Sequence, residues 1–446
     1  MTIFELENKY KTTLETIKEW GYIRIPLGVY LQNKLNKTVK KQEKNTLFYK
    51  IANFSSMTLY GFTHWFRSYD YLYFSDSSER KVINGELFDK SVDPIIDVTG
   101  KKSSLLIETV IKKPKRKVHT KYFVSINLLI IVAKIIRFFL SEKTIALLDE
   151  IMLEEKINFD YKHLIKEHNS YYYTYLLLFK LYKPKLIFVN CFYCRLGLVD
   201  AAKKLNIKVI DIQHGVVNSV HYAYSSNIKI EKSSYPDTLF AFGENEVSQK
   251  NKIIEEVIPI GNFYLEYICN NFQQDIYLIE IIQRYKVAIS ISMQDAEQWE
   301  KDSILNFIQK ISRKNQDILY ILIPRNDKNL DIKNYNNIMI YDKLDCYNVV
   351  MHTKIHMTLY SSCALEVLSF GIPNILVDIK GFATLYYQDM LENQYTKIVN
   401  TVDEALDAIN LLSKVDRQKV IEQNRIFKAD YNNNIKNYFL NIEDKR

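Results

Sequence analysis

Apolar positions recur along the chain in two arrangements. Short continuous runs, KLIFVN at 185–190, KVIDI at 208–212, TLFAF at 238–242 and KVAISIS at 286–292, lack polar alternation and so have the pattern of strands buried on both faces. Between them, at 196–205 and 301–312, apolar residues return at helical spacing. The order continues with strands expected at 257–260, 317–323, 337–341, 355–359 and 374–377, a short helix at 345–352 and a helix opening at Ser361-Ser362. Thr401-Val402-Asp403-Glu404 reads as a capping box for one more. Two successive series of strand and helix predict an α/β chain with two Rossmann-like doubly wound domains facing a cleft, where ligands sit beyond the carboxyl ends of the strands. The division falls at 1–270 and 271–446, with terminal helices after Lys414. The first 180 residues are less regular: one apolar strand at 69–75, a turn-rich polar stretch to Asp97, and helical periodicity over 125–181 that marks a helical insertion near 122–181.

One segment within that insertion invites a membrane reading. YFVSINLLIIVAKIIRFFL at 122–140 follows the basic run Lys112-Lys113-Pro114-Lys115-Arg116-Lys117, but Lys134 and Arg137 interrupt it before a spanning length of roughly 20 apolar residues. Asn127, Lys134 and Arg137 fall near one face at helical spacing, the pattern of an amphipathic helix. It reads either as a core helix or as a peripheral anchor on an anionic membrane, helped by its basic flank.

Composition narrows the classes. With 446 residues and 47% hydrophobic content the chain has enough apolar surface for several cores, which excludes disorder as a description of the whole. Eleven glycines and eight prolines exclude collagen-like and low-complexity architectures, and neither a GxGxxG nor a Walker sequence occurs. The formal net charge of +8 suits anionic partners without choosing among them. The 33 tyrosines and the basic residues are spread along the chain with no recognition module, so no nucleic-acid partner is expected. Five cysteines, at 191, 194, 269, 346 and 363, are odd in number and scattered, which suits a reducing cytosol and no disulfide framework. Cys191 and Cys194 form a CxxC expected to open a helix after a buried strand; with no second CxxC or paired histidines at zinc spacing, a structural role is favoured over a redox or metal one. The N-terminus lacks the apolar stretch of a secretory signal, so the expected location is cytoplasmic.

The most informative segment is TLYSSCALEVLSFGIP at 358–373. A buried strand runs into two serines at a helix start, Glu366 follows one turn on, and Gly371-Ile372-Pro373 ends the helix and launches the next strand. Serine hydroxyls and backbone N–H groups at a helix start form an anion site suited to phosphates. Glu366 would reach ribose hydroxyls. The plain alternative is an N-cap followed by a surface glutamate.

This segment resembles the donor-nucleotide region of bacterial GT-B fold glycosyltransferases that build capsule, lipopolysaccharide and teichoic acid polymers, where Ser-Ser-x-x-x-Glu or Ser-Ser-x-x-x-Asp precedes Gly-x-Pro. DIQHGVV at 211–217 is similar to a strand end in their N-terminal domain, and FGENEVSQKN followed by VIPIGN resembles its last strand, helix and turn. The resemblance covers roughly 185–400 in order, with looser matches at YLYFSDSSER and DPIID.

The resemblance implies a glycosyltransferase moving a sugar from a nucleotide-sugar donor to a surface polysaccharide or lipid-linked glycan acceptor. It makes His214 the general base, with Gln213, Gly215 and Asn262 along the cleft of an acceptor-side N-terminal domain. Ser361, Ser362 and Glu366 become donor-binding residues of the C-terminal domain; Pro324-Arg325 departs from the relatives' His-Pro, and Arg325, at the end of a buried strand, is expected to supply a fixed positive charge to the donor phosphates. Relatives that transfer glycerophosphate have Thr-Asp-Tyr-Ser-Ser where this chain has Leu359 in place of the aspartate, which favours a sugar transferase. No Asp-x-Asp unit is present, and His352 and His356 lack the glutamate of a metalloprotease pair, so metal-independent transfer with no cofactor is expected. A CDP-polyol phosphotransferase of teichoic-acid type, a nucleotide-sugar epimerase and a non-catalytic polysaccharide assembly protein are the alternatives.

Overall fold

A computed structural model of the chain describes residues 1–35, 57–110, 114, 116–293, 298–324, 330, 332, 335–387, 394–424 and 426–443. They form two compact units: Met1–Phe242 with Glu246–Phe263 and Asp430–Arg446, and Gly243–Asn245 with Tyr264–Ala429.

The first unit is built on strands β1 (Tyr71–Asp76), β4 (Ser104–Thr109), β5 (Phe123–Ser125), β6 (Leu186–Asn190), β7 (Lys208–Ile212), β8 (Thr238–Ala241) and β9 (Glu256–Pro259), with an antiparallel ribbon of β2 (Arg80–Ile83) and β3 (Glu86–Asp89) beside them. All seven sheet strands pair in parallel, in the order β5-β4-β1-β6-β7-β8-β9. The chain lays β4 and β5 on one side of β1, then returns to its other side for β6. That reversal leaves a topological switch point between the carboxyl ends of β1 and β6, the place where doubly wound sheets hold ligands.

The continuous apolar runs have their reason in two covered faces. Leu72, Phe74, Ile187 and Val189 enter one core, with the helices Tyr161–Tyr182 and Leu196–Lys204. Their neighbours Tyr73 and Phe188 enter the opposite core, with Phe240 and with Tyr431, Ile435 and Tyr438 of the helix Tyr431–Glu443. The helix Trp20–Leu35 is fixed by a fully buried ion pair, Arg24 Nε to Glu7 Oε1 at 2.6 Å. Arg24 also donates to the carbonyls of Tyr222 and Ser225, tying these N-terminal helices to the loop after β7.

In the helix Asn127–Phe139, Asn127 is buried instead of lying on a solvated face with Lys134, because the helix packs against the Tyr161–Tyr182 helix. Arg137 pairs with Glu167 at 3.3 Å. Ile135, Phe138 and Phe139 are exposed, and no helix among the described residues is long and apolar enough to cross a membrane. Lys112, Lys113 and Lys115 lie outside the described residues.

The second unit repeats the plan with β10 (Val287–Ser292), β11 (Ile318–Ile323), β12 (Ile338–Ile340), β13 (Ile355–Thr358), β14 (Asn374–Val377) and β15 (Thr396–Val399). The order β12-β11-β10-β13-β14-β15 is again wholly parallel and puts a switch point between β10 and β13. The capping box at Thr401 and Glu404 closes the start of the helix Val402–Leu412 as the sequence predicts. The α/β, doubly wound class is thus observed in both units.

Candidate active site

At the first switch point the strand ends are held apart and fixed by one side chain. Arg195 Nη1 donates to the Asn190 carbonyl at 2.6 Å, and its Nη2 donates to the Ser75 carbonyl at 3.1 Å, so the guanidinium bridges the carboxyl ends of β6 and β1. Its planar fork suits two acceptors on separate strands. Beyond it opens a pocket of about 600 Å3. Asp76 ends β1 at the pocket and Glu79 follows it, Cys191, Tyr193 and Cys194 follow β6, and Tyr22, Glu167, Tyr171 and Tyr175 form its wall. Aromatic walls with a few carboxylates are surfaces that a sugar ring can stack on and hydrogen-bond to.

His214 lines this pocket from the loop after β7. Its Nε2 lies 3.2 Å from the Tyr193 hydroxyl, while Nδ1 is buried without a partner among the described residues. Burial holds its pKa below the ordinary histidine value; Lys90 and Arg195 push the same way and Glu79 opposes them. The imidazole is therefore neutral near pH 7 and can accept a proton. The turn that carries Tyr193 is set by Asp211 of β7, whose Oδ1 accepts the Phe192 N–H at 3.1 Å and whose Oδ2 accepts the Tyr224 hydroxyl at 2.8 Å.

The flanking residues do other work. Gln213 is buried, donates to the Gly215 carbonyl at 2.9 Å and to Glu246 at 2.8 Å, and accepts the Phe242 N–H at 2.7 Å. It shapes the loop and lies off the pocket wall. Gly215 has open space where a side chain would stand. Asn262 follows Gly261, whose φ of +91° turns the chain after β9, and it too is absent from the pocket wall.

In the second unit, β13 ends beside β10, with Thr358 Oγ1 donating to the Ser292 carbonyl at 3.2 Å. His356 is a buried clamp here: Nδ1 meets Asn374 at 2.8 Å and Nε2 meets Ser292 at 2.9 Å. His352 sits apart, its Nε2 accepting the Asp275 N–H at 3.0 Å.

Ser361 and Ser362 stand directly past this switch point. The helix they open is short, Cys363–Glu366 followed by a 3-10 turn to Phe370. The N–H groups of Cys363, Ala364, Leu365 and Glu366 are bonded within this turn to Ser361 and Ser362, so the polar groups it has to offer are the two hydroxyls more than a helix dipole. Glu366 accepts the Tyr347 hydroxyl at 2.6 Å, and the Tyr387 hydroxyl donates to the Ser361 carbonyl. Gly371 ends the turn with φ +72°, and a Cβ there would meet the Arg417 carbonyl oxygen at 2.6 Å. Arg325 lies outside the described residues, just past Pro324 at the end of β11.

The structure brings His214 into one pocket and Ser361, Ser362 and Glu366 into one turn. Sequence reasoning passed over Arg195, Tyr193 and the Asp76–Glu79 pair. The signals that could have found them were the polar cluster Asp76-Ser77-Ser78-Glu79 after an apolar strand, within the YLYFSDSSER match, and the CxxC that brackets Tyr193 and directly precedes Arg195.

No known family model matches the chain, and no curated protein matches it in sequence. Solved structures do match in fold. The S. aureus MnaA-UDP co-structure is 12% identical with a TM-score of 0.53, covering 84% of this chain and 97% of that one. Methanocaldococcus jannaschii UDP-GlcNAc 2-epimerase in complex with UDP-GlcNAc and UDP is 12% identical with a TM-score of 0.52, covering 84% and 99%. CalG4, the calicheamicin glycosyltransferase, is 11% identical with a TM-score of 0.51, covering 85% and 99%. At such identities the likeness concerns the fold: this chain has two Rossmann-like domains of the GT-B type.

Proposed function

We propose that the protein is a glycosyltransferase that moves a sugar from a nucleotide-activated donor to a surface polysaccharide or lipid-linked glycan acceptor. The observation that carries this reading is His214, held neutral by burial at the wall of a pocket at the sheet's switch point, with one ring nitrogen 3.2 Å from a tyrosine and the other unpartnered among the described residues. In this reading region 1–270 is the acceptor side. His214 takes the proton of the acceptor hydroxyl as its oxygen bonds the anomeric carbon and the nucleotide leaves. Region 271–446 is the donor side, where Ser361, Ser362 and Arg325 hold the phosphates and Glu366, oriented by Tyr347, meets the ribose. The positive charge of Arg325 and the serine hydroxyls would stabilise the departing nucleotide without a metal. Two of the similar folds were solved with UDP or UDP-GlcNAc and a third is a glycosyltransferase, which supports a nucleotide-sugar donor. Exposed Ile135, Phe138 and Phe139 support a peripheral site on an anionic membrane, where lipid-linked acceptors reside.

A second reading, nucleotide-sugar epimerisation, has its own observation: Asp76, Glu79 and Glu167 share the pocket with His214, and an imidazole facing carboxylates can remove and return a proton at a sugar carbon. One experiment separates the two. Calorimetry with UDP, GDP, CMP, CDP and TDP identifies the donor nucleotide. The matching nucleotide sugar is then incubated with and without lipid-linked acceptor. Transfer only with acceptor supports the first reading, and isomerised sugar without acceptor replaces it by the second. Failure of every nucleotide to bind would reject both.

A further inference from the structure

The two thiols of the CxxC face each other at the pocket wall. Cys191 Sγ and Cys194 Sγ lie 3.1 Å apart, both cysteines line the pocket, Cys194 is exposed and Cys191 is half-buried. Between them runs a single 3-10 turn, Phe192–Cys194, which presents the Tyr193 hydroxyl to His214 Nε2 at 3.2 Å. Cys191 opens that turn with φ +63°, a left-handed conformation unusual for a residue with a side chain. Closing a disulfide needs the sulfurs to approach from 3.1 Å to about 2.05 Å.

We propose that Cys191 and Cys194 are a reversible redox pair whose disulfide locks the Phe192–Cys194 turn and holds Tyr193 against His214, closing off the imidazole in the pocket. The reaction partner is a low-molecular-weight disulfide. The Cys194 thiolate attacks one of its sulfurs and expels a thiolate, giving a mixed disulfide. Cys191 then attacks the Cys194 sulfur, expels the second thiolate, and the two protons of the dithiol pass to the two leaving thiolates. Exposure makes Cys194 the attacking sulfur. The hydrogen bond from Cys191 and, less strongly, the nearby Arg195 favour its ionised form against the cost of burial, bringing its pKa down to about 7. Transient disulfides of this kind occur in reducing compartments where they serve as sensors. Neither the nucleotide nor the acceptor enters this argument, so it stands or falls apart from the transferase reading.

The test uses the full chain treated with oxidised glutathione at neutral pH, then digested for mass spectrometry without reduction. The expected product is one peptide bearing both cysteines and lacking two hydrogen atoms, restored by dithiothreitol. The consequence for the pocket is read by diethyl pyrocarbonate, which acylates neutral imidazole: carbethoxylation of His214, followed by peptide mapping, should slow about threefold or more on oxidation. His163, which is exposed, serves as the internal reference. In Cys194→Ala, checked for an unchanged melting temperature, the rate at His214 should no longer respond to oxidant, while Cys191→Ser should trap the glutathione adduct on Cys194 that the wild-type chain resolves. Absence of the intrachain bond from the wild-type chain, or a stable glutathione adduct in its place, overturns the proposal, and so does a disulfide that leaves His214 reactivity unchanged.

Discussion

The Tyr193 hydroxyl lies 3.2 Å from Nε2 of His214, across a turn that Asp211 anchors through the Phe192 N–H. His214→Ala should lower turnover by about 100- to 10,000-fold, the range of a general base, while donor affinity changes little. Tyr193→Phe should retain more activity and move the acidic limb of the pH–rate profile, since it alters the partner of the imidazole and leaves the ring. Steady-state kinetics against pH with calorimetric donor titration checks both; wild-type turnover in His214→Ala removes it as the base.

Ser362 and Glu366 differ in how they should respond. Ser362 makes no side-chain cap bond, so Ser362→Ala should weaken nucleotide binding with a stability change within about 0.5 kcal/mol. Glu366→Ala strands the half-buried Tyr347 hydroxyl and should cost about 1 kcal/mol as well. Glu366→Gln keeps an acceptor for Tyr347 and is the cleaner probe of ribose contact. Calorimetry beside thermal melts distinguishes the two effects.

Asp89 predicts a pH dependence of stability. Its carboxyl is pushed up from 3.8 to about 7, first by burial and then by Asp93, against the Ser75 hydroxyl that donates at 2.6 Å. The folded state therefore keeps a proton that the unfolded chain has already released. Stability should fall as pH rises from about 4 to about 7, by up to roughly 1.4 kcal/mol per pH unit for one such group. Glu108, pushed up by burial to about 8 against the pull of Arg80, extends the slope upward. Asp89→Asn should flatten the slope and melt higher than wild type at pH 8 but not at pH 4, as read by thermal melts across pH.

The Arg24–Glu7 pair predicts an asymmetry. Both side chains have no exposure, and Glu7 also accepts the Trp20 indole N–H at 3.0 Å. Glu7→Ala should destabilise by about 3–5 kcal/mol because it leaves a buried guanidinium without its counter-charge. Since Arg24 also holds the Tyr222 and Ser225 carbonyls, the loss should raise hydrogen exchange in the loop after β7.

Phe138 is 83% and Phe139 78% exposed at the end of their helix. If they meet a membrane, Phe138→Ser with Phe139→Ser should lower partitioning to phosphatidylglycerol vesicles severalfold without lowering the melting temperature. Equal co-sedimentation of the double variant and wild type would assign the helix to the fold alone.

Much of the sheet was legible because strands buried on both faces must be apolar throughout, as in β6, β7, β10 and β11, which lie within a residue or so of the expected bounds. Three parallel strands were not. In β4 only LLI is apolar, between Ser104 and Glu108, and the buried Glu108 is matched by Arg80 from a distant ribbon. β5 is three residues at an edge, inside a stretch with helical periodicity. β15, also at an edge, is half-buried, so its pattern carries little signal. At the site, His214 and the serines announced themselves by standing directly after strands. Arg195 did not, because its role comes from two strand ends, at Ser75 and Asn190, that are neighbours only after β6 has paired with β1.

The helix Tyr431–Glu443 belongs to the first unit, where Tyr438 meets Phe240 edge-on at 4.7 Å and Tyr431 and Ile435 join the same core as Phe188. During synthesis that helix follows the whole of the second unit. The helix Asp93–Thr99 brings Ile95 and Ile96 to the same face early, but the part that Tyr431, Ile435 and Tyr438 cover must wait while some 165 residues of the second unit are made, on the order of ten seconds or more at ribosomal rates. The nascent chain thus finishes its second domain before its first, and in that interval the incompletely covered aromatic face is a natural target for a chaperone.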